Sequence, residues 1–309
     1  MPLDPKAKAF IDFMAQRPMP PWAEVDPVAY RARSEAGRFP SPDLLLAEIA
    51  DSTIPGPAGP IAVRIYRASL EHNQPAIVYF HGGGFVIGSL NSHDGTCRRL
   101  AHASKCTLIS IDYRLAPEHR FPAAVDDSYA AAVWVAENSK ALKIDIARLA
   151  IAGDSAGANL AAVVTLLARD RNGPKFVHQL LTYPPTDLAC KSESHIANGE
   201  AYFMTREMIA WFYRHYLPVG HDPEDPLLSP LYAADLSDLP PATVITAEFD
   251  PLRDEGEAYA ERLQEAGVPT KLVRYDGVIH GFFGMSGMID QADEAQALAA
   301  DELRKAFGN

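Results

Sequence analysis

A serine flanked by glycines stands near the middle of the chain, in Gly153-Asp154-Ser155-Ala156-Gly157. An apolar run at 149–152 precedes this motif, and a helical pattern over 156–169 comes after it. A serine on a sharp turn between a strand and a helix holds its hydroxyl above the sheet, where the free amides of the helix N-terminus favour developing negative charge. This setting predicts that Ser155 is a nucleophile.

A second glycine-rich stretch, His81-Gly82-Gly83-Gly84, follows another apolar run. Attack of a hydroxyl on an acyl carbon creates an oxyanion, which needs amide donors about 3 Å away. Consecutive glycines let a loop turn its amides toward one point without side chains that block the substrate. We therefore interpret this loop as an oxyanion hole. The alternatives are a plain glycine turn and a phosphate-binding loop, although the spacing of a Walker or Rossmann motif is missing.

A serine hydroxyl needs a base to take its proton, and the base needs a carboxylate that orients it. Where the serine lies on such a turn between a strand and a helix, the acid and then the histidine follow it along the chain. Asp250 comes after a predicted strand, and His280 is the one histidine of ten that follows the final predicted strand. We predict that Asp250 and His280 complete a triad with Ser155. Asp254 and Asp276 are the alternative acids, although Asp254 should lie one turn inside the next helix.

The sequence predicts that strands and helices alternate along the chain and position these groups. Unbroken apolar runs are typical of strands covered on both faces, as in a parallel sheet. These runs are 76–80, 107–113, 149–152, 177–183, 242–247 and 271–275. Helical patterns at 124–138, 156–169 and 253–266 lie between them, and the alternating stretch 61–66 predicts a half-exposed antiparallel strand. The fold class predicted is α/β, with a mostly parallel, doubly wound central sheet.

The first 43 residues read as a helical arm ahead of the sheet. Apolar residues repeat at helical spacing over 4–17, and Asp26 is placed to cap a second helix that runs to about Gly37. Two short helices bury little surface by themselves, so this arm needs another surface to cover.

The segment 184–240 carries no good strand pattern and is rich in prolines and acidic residues. Within it, Thr205 can cap a helix that runs to Leu217, with an apolar stripe that we expect to serve both as packing and as pocket wall. An insertion of this length at the edge of a sheet is more typical of a lid than of a structureless loop. We expect the arm 1–43 and the insertion 184–240 to form one helical cap on a core made of 44–183 and 241–309.

Composition excludes several classes of partner. The 28 basic against 40 acidic side chains give a formal charge of −12, which disfavours nucleic acid and anionic lipid. The first residues lack the basic start and apolar run of a secretory signal, so we expect none. No apolar run approaches the roughly 18 residues that would span a membrane. Cys97, Cys106 and Cys190 are odd in number and form no Cys-x-x-Cys pair. We therefore expect buried free thiols, no disulfide or metal site, and a cytoplasmic location.

Several motifs together resemble the hormone-sensitive-lipase branch of the α/β hydrolases, also called the bacterial family IV carboxylesterases. The resemblance covers essentially the whole chain. Besides the two glycine motifs, it rests on Asp112-Tyr113-Arg114-Leu115-Ala116-Pro117-Glu118-His119, Phe121-Pro122-Ala123-Ala124, Asp250-Pro251-Leu252-Arg253-Asp254 and His280-Gly281-Phe282.

This resemblance implies an α/β-hydrolase fold with a helical cap and a cofactor-free carboxylesterase that acts on short-to-medium acyl esters. It implies that the amides of Gly83, Gly84 and Ala156 form the oxyanion hole. It also implies that Arg114, Glu118 and His119 are scaffold, although by residue type alone His119 could be catalytic.

The substrate and the oligomeric state are less defined by the sequence. Aromatic and aliphatic side chains that could line the acyl pocket, and could equally be core, are Phe85, Tyr183, Phe203, Ile209, Tyr213, Phe282 and Phe283. The expected partners are a small-molecule ester and water, and the chain is expected to be a monomer or a homodimer. One alternative is a ligand-binding protein like the plant gibberellin receptors, which have lost the histidine that this chain keeps. Others are a hydrolase of amides, lactones or carbamates, and a lipase of long-chain emulsions.

Overall fold

The computed structural model describes residues 2–17, 19–36 and 42–308, and its centre is one eight-stranded sheet. The strands are β1 (Glu48–Gly56), β2 (Gly59–Arg67), β3 (Gln74–Phe80), β4 (Thr107–Asp112), β5 (Ile144–Asp154), β6 (His178–Thr182), β7 (Ala242–Phe249) and β8 (Thr270–Ile279). Their order across the sheet is β1-β2-β4-β3-β5-β6-β7-β8. Every pair from β4 to β8 is parallel, and only the pairs that β2 makes are antiparallel. The predicted fold class is confirmed.

The burial of the strands follows their apolar patterns. Strands β3 and β6 are almost entirely buried, as their unbroken apolar runs predict. Strand β2 buries Ile61, Val63 and Ile65 and leaves the residues between them more exposed, which is the alternation expected of an antiparallel strand with one solvated face.

Nine α-helices lie in the described ranges. They are α1 (Pro5–Ala15), α2 (Pro27–Ala36), α3 (Asp94–Ser104), α4 (Ala123–Glu137), α5 (Ala156–Asp170), α6 (Glu193–Ala197), α7 (Arg206–Tyr216), α8 (Arg253–Glu265) and α9 (Asp290–Ala306). They form two hydrophobic cores with the sheet, one containing α4, α5 and α8 and the other containing α3, α9 and α1. None of these helices is both long enough and apolar enough to cross a bilayer.

The N-terminal arm begins its two helices where the sequence predicts. The Asp4 carboxylate accepts hydrogen bonds from the first amides of α1, and the Asp26 carboxylate accepts one from Ala29 at 2.8 Å. The Asp4 amide donates to the carbonyl of Gly277 on β8 at 2.8 Å, which ties α1 to the core. The predicted end of α2 near Gly37 falls outside the described residues.

The insertion contains no strand between β6 and β7. The Thr205 hydroxyl accepts a hydrogen bond from the Met208 amide at 3.2 Å, so α7 begins at the predicted cap. Helix α7 also meets the arm, because the Trp211 indole donates to the carbonyl of Val25 at 3.1 Å. The ring of Trp22 lies 5.3 Å from that of Trp211. The arm and the insertion are therefore in direct contact.

The cysteines are free, but their environments differ from one another. Cys97 and Cys106 are fully buried, as the sequence suggests. The prediction of a buried thiol is wrong for Cys190, which is partly exposed because it lies in the surface loop before α6.

Four parallel strands end at the same edge of the sheet. Directly after β3, β5, β7 and β8 come His81, Ser155, Asp250 and His280. Because the carboxyl ends of parallel strands share one edge, the order of the strands alone brings the glycine loop and three reactive side chains together.

Candidate active site

Ser155 stands on a strained turn between β5 and α5. Its φ of 52° and ψ of −125° lie outside the regions that L-residues prefer. The turn requires small neighbours, because a Cβ at Gly157 would come 2.0 Å from the carbonyl oxygen of Phe80. The amide of Ser155 donates to the carbonyl of Thr182 at 2.9 Å, which fixes the turn against β6.

Ser155, His280 and Asp250 form one hydrogen-bonded chain. The Ser155 Oγ lies 3.0 Å from His280 Nε2, and His280 Nδ1 lies 2.7 Å from Asp250 Oδ2. A proton on Nδ1, donated to the carboxylate, leaves Nε2 free to accept the proton of the serine hydroxyl. Asp250 is fully buried, while Ser155 and His280 keep 6% of their surface exposed, so the reactive end of the chain is the end that substrate can reach.

Asp250 is held through both its carboxylate and its backbone carbonyl. Its Oδ1 accepts from the amide of Leu252 at 2.9 Å, and the side-chain amide of Asn198 donates to the Asp250 carbonyl at 3.1 Å. Of the alternative acids, Asp254 accepts from the amide of Ser194 at 2.8 Å, and Asp276 is exposed on β8. Neither of these two forms a hydrogen bond to the imidazole of His280.

The glycine loop lies beside the serine with its amides available. Gly84 has a φ of 58°, and a Cβ there would come 2.3 Å from the ring of Phe212. Within the described part of the chain, the amides of Gly83 and Gly84 donate no hydrogen bond. Ala156 is the first residue of α5, where a helical amide has no acceptor inside the helix. Gly84 and Ala156 line the same cavity as Ser155. An oxyanion hole formed by these two amides and that of Gly83 stays a prediction.

Asp154 joins the glycine loop to the serine turn. Its carboxylate accepts from the Tyr79 hydroxyl at 2.6 Å and from the Gly82 amide at 3.1 Å, and it lies 3.2 Å from His93 Nε2. Burial raises the pKa of this carboxyl, but His93 and Tyr79 outweigh burial and hold the pKa below its ordinary value. Burial lowers the pKa of His93, and Asp154 outweighs that effect and raises it. Each of the two groups therefore favours the charged form of the other. No motif in the sequence marks His93 for this role.

His81 is a structural part of the same loop. Its ring is fully buried, stacks on Tyr113 at 4.4 Å, and has Nδ1 2.8 Å from the carbonyl of Gly82. Burial, with a smaller effect from His93, lowers the pKa of His81 to about 3, so the ring is neutral and donates to that carbonyl.

A narrow cavity opens onto Ser155 between the core and α7. Its lining is largely apolar and leaves little room beside the serine. Its walls include three predicted residues, Phe85, Ile209 and Tyr213. Four further wall residues are not predicted from the sequence. Phe212 lies on the apolar stripe of α7 and Leu252 in the motif that carries Asp250, so a signal for these two is present. These four are Pro185, Met204, Phe212 and Leu252.

The other predicted pocket residues lie elsewhere. Tyr183 packs its ring 4.6 Å from that of His280, and with Phe283 it lines a second, larger cavity beside His93 and Asp154. Phe282 is fully buried, and Phe203 packs against Phe10 of the arm at 5.2 Å. These last two line neither cavity. A role for them in substrate binding stays a prediction.

The residues interpreted as scaffold make structural contacts. Arg114 forms a two-pronged ion pair with Asp127 of α4, at 2.7 and 2.8 Å. Glu118 pairs with Arg31 of the arm at 3.0 Å. His119 is exposed, and its amide donates to the carbonyl of Leu115.

Comparison with known proteins agrees with this geometry. A family model described as an alpha/beta hydrolase fold matches residues 77–284. The chain belongs to this family. Curated relatives of this alpha/beta hydrolase include the esterase LipI of Mycobacterium tuberculosis, 43% identical over 88% of this chain and 85% of that protein. The carboxylic ester hydrolase LipN of the same organism is 45% identical over 84% and 71% of the two chains. The predicted hormone-sensitive-lipase-like family is confirmed.

Solved structures of similar hydrolases superpose on nearly all of the chain. An alpha/beta hydrolase enzyme from the metagenome of Lake Arreo, solved as a serine-to-alanine mutant, has a TM-score of 0.94 and 43% identity, and the match covers 99% of both chains. A hyperthermophilic esterase from Pyrobaculum calidifontis has a TM-score of 0.93 at 43% identity, with 99% of both chains covered.

Proposed function

We propose that this alpha/beta hydrolase is a carboxylesterase that cleaves short-to-medium-chain esters with a Ser155-His280-Asp250 triad. The relatives confirm the predicted enzyme class, a hydrolase that acts on ester bonds. The observation that carries the proposed mechanism is the hydrogen-bond chain, at 3.0 Å from serine to histidine and 2.7 Å from histidine to aspartate.

In the proposed reaction the Ser155 Oγ attacks the ester carbonyl carbon while His280 Nε2 takes the hydroxyl proton. Asp250 stabilises the imidazolium that forms. The negative charge on the carbonyl oxygen is accepted by the amides of Gly83, Gly84 and Ala156. The alcohol leaves with the proton from His280, and water then repeats these steps on the acyl-enzyme, which frees the acid and the serine.

The cavity beside Ser155 is our proposed acyl site, with Phe85, Ile209 and Tyr213 in its walls. Its apolar walls and narrow space support a short acyl chain. The contact of Trp211 with Val25 supports a cap made jointly by the arm 1–43 and the insertion 184–240. The free cysteines support the cytoplasmic location, and the state of monomer or homodimer stays a prediction.

Hydrolysis of p-nitrophenyl butyrate by the wild type and by Ser155→Ala tests the mechanism. We expect the variant to lose about 10⁴-fold or more in kcat, because no other group can form the acyl-enzyme. Ser192→Ala is the control. Among the described residues, the Ser192 hydroxyl is hydrogen-bonded only to Ser194, so the variant should keep its activity. An inactive wild type would instead point to a ligand-binding protein that has kept the fold.

A chain-length series tests the substrate class. With p-nitrophenyl esters from acetate to laurate, we expect kcat/KM to be highest for short-to-medium chains and to fall for the longest. A maximum at laurate would contradict the acyl-site assignment. Matched amide and lactone substrates measure whether other acyl bonds are cleaved, since the triad chemistry is common to them.

A further inference from the structure

The second cavity lies beside the histidine of the triad. It has a volume of about 190 Å³, which is room for a group the size of a six-membered ring. Its wall includes Gly281, the residue after His280, and Tyr183, whose ring lies 4.6 Å from that of His280. The proposed acyl cavity contains Ser155 in its wall, and the described walls of the two cavities have no residue in common. The triad is therefore adjoined by two separate cavities.

The position of this second cavity fits the alcohol portion of an ester. In the proposed mechanism His280 gives its proton to the leaving alcohol, so the alcohol oxygen has to lie next to the imidazole. The acyl portion is bonded to the Ser155 Oγ and is directed to the cavity that contains Ser155. A group that extends from the alcohol oxygen past the imidazole enters the space beside Tyr183 and Gly281.

Two polar side chains of α3 line this cavity without a partner. Thr96 and Arg99 are three residues apart, so they lie on one face of the helix, and both belong to the cavity wall. Thr96 is only 8% exposed, and its hydroxyl has no hydrogen-bond partner in the part of the chain that the structure describes. Gly284 is another wall residue, and a Cβ there would lie 4.0 Å from that hydroxyl oxygen. The hydroxyl of Thr96 therefore faces the cavity.

Arg99 gives the cavity a positive charge. It is the one lysine or arginine among the described residues of the wall. Its guanidinium forms neither an ion pair nor a hydrogen bond with the residues that the structure describes, whereas the neighbouring Arg98 pairs with Asp94 at 2.6 Å. Arg99 is partly buried, and its planar group of N–H donors matches the geometry of a carboxylate. The wall therefore offers a charged donor that the protein itself does not use.

The carboxylates near the cavity have other partners. Asp154 belongs to the wall, but it lies 3.2 Å from His93 Nε2 and accepts from the Tyr79 hydroxyl at 2.6 Å. Asp293 accepts from the hydroxyl of the wall residue Ser286 and is exposed, so water and salt screen its charge. Neither carboxylate forms an ion pair with the guanidinium in the wall. The positive charge of the cavity thus remains open to a ligand.

We propose that this second cavity binds the alcohol portion of the ester and favours an alcohol that carries a carboxylate. The substrate class is an O-acylated hydroxy acid or carboxyl-substituted phenol. Its ester bond is cleaved at Ser155, while its free carboxylate accepts hydrogen bonds from the guanidinium of Arg99 and the hydroxyl of Thr96. This inference rests on the ester hydrolysis proposed above and adds to it the size and the charge of the alcohol.

Two butyrate esters of nearly the same shape test the charge preference, the anionic 3-carboxyphenyl butyrate and the neutral 3-carbamoylphenyl butyrate. The quantity compared is kcat/KM, because it includes the acylation step in which the alcohol leaves. We expect Arg99→Gln to lower the ratio of kcat/KM for the anionic ester to that for the neutral ester by about fivefold. Thr96→Val removes one hydrogen bond and should lower the same ratio by about two- to threefold.

The comparison of variant with wild type cancels the different reactivities of the two leaving groups. Arg171→Gln is the matched control, since Arg171 is exposed at the far end of α5 and its loss removes the same charge from the molecule. An unchanged ratio in Arg99→Gln, or an equal fall in Arg171→Gln, overturns the proposal. A wild type that hydrolyses neither ester contradicts the proposed function itself, so the two failures are distinguishable.

Filling the cavity tests its assignment to the alcohol. Gly284 has room for a side chain, because a Cβ there would meet only Thr96 Oγ1, at 4.0 Å. We expect Gly284→Leu to lower kcat/KM for phenyl butyrate at least about tenfold more than for methyl butyrate, whose alcohol is too small to reach the cavity. Gly284→Ala adds one methyl group and should shift the same ratio in the same direction by about twofold. Equal losses for both esters in the two variants, or a loss that depends on the acyl chain and not on the alcohol, overturn the proposal.

Discussion

Two aspartates four residues apart show how environment separates chemistry from structure. Asp250 is fully buried and bonded to the imidazole of His280, whereas Asp254 is bonded to the amide of Ser194 and to Arg253. The difference arises from position, since Asp250 is the first residue after β7 and Asp254 is already inside α8. Residue type alone does not distinguish them.

This difference predicts the effect of removing each charge. In Asp250→Asn the side chain has no negative charge with which to accept the hydrogen bond from His280 Nδ1 and stabilise the imidazolium. We therefore expect kcat to fall by about 10³–10⁴-fold. The kinetics of p-nitrophenyl butyrate hydrolysis measure it, and Asp254→Asn is the control, with kcat within a few-fold of wild type. A fall of less than tenfold in Asp250→Asn would rule out Asp250 as the orienting acid.

At the residue scale, the sequence predicts those contacts that depend only on the order of groups along the chain. Ser155, Asp250 and His280 each come directly after a recognisable strand, so their meeting can be foreseen. The contact between His93 and Asp154 joins residues 61 positions apart and obeys no periodic pattern. The cavity residues Pro185 and Met204 belong to irregular loops, where neither a 3.6-residue nor a two-residue period applies.

Among the elements, α7 connects the catalytic edge to the arm. One side of the helix presents Ile209 and Phe212 to the cavity, and Trp211 between them donates to the carbonyl of Val25. Trp211 is 1% exposed and lies among the rings of Trp22 and Tyr30. The sequence predicts both helical segments, but their contact depends on side-chain packing across 186 positions, which no local pattern encodes.

Loss of this contact should affect both stability and substrate binding. We expect Trp211→Ala to destabilise the protein by about 3–5 kcal/mol, the usual cost of removing a buried tryptophan, and to raise KM for p-nitrophenyl butyrate more than it lowers kcat. Urea unfolding and steady-state kinetics measure these effects. Val219→Ala, at a fully exposed position of the insertion, should change stability by less than about 0.5 kcal/mol. An unchanged KM would show that the arm supports the fold without shaping the cavity.

For the whole molecule, buried histidines set the response of stability to acid. His178 on β6 is 6% exposed, and its Nε2 lies 3.0 Å from the Thr243 hydroxyl. Burial lowers its pKa to about 4, as it lowers that of His81 to about 3. Because these pKa values lie below the unfolded value of about 6.5, the unfolded chain binds protons first as the pH falls. The contribution of these neutral histidines to the free energy of unfolding is therefore complete above about pH 6.5 and decreases as the pH falls below that value.

The contribution of His178 can be isolated. Between about pH 6.5 and 4 each such histidine costs about 1.4 kcal/mol of unfolding free energy per pH unit, so from pH 7 to pH 5 the wild type should lose roughly 2 kcal/mol through His178. In His178→Gln this loss is absent. The difference in free energy of unfolding between wild type and variant should therefore be smaller at pH 5 than at pH 7 by that amount. Urea unfolding at the two pH values measures it, with the exposed His72→Gln as a control that keeps the wild-type pH dependence. If this difference were the same at both pH values, His178 would not be a neutral buried histidine.

The carboxylate of Asp154 has a consequence for protein engineering. It binds the hydroxyl of Tyr79 and the amide of Gly82, while its own backbone leads into Ser155. The two halves of the catalytic edge are therefore mechanically one unit, although they are encoded 72 positions apart. A chimaera that exchanges only the 81–84 loop or only the 153–157 turn with another hydrolase separates partners that fit each other. Recombination that seeks new specificity should move both segments together and place its crossover points outside them.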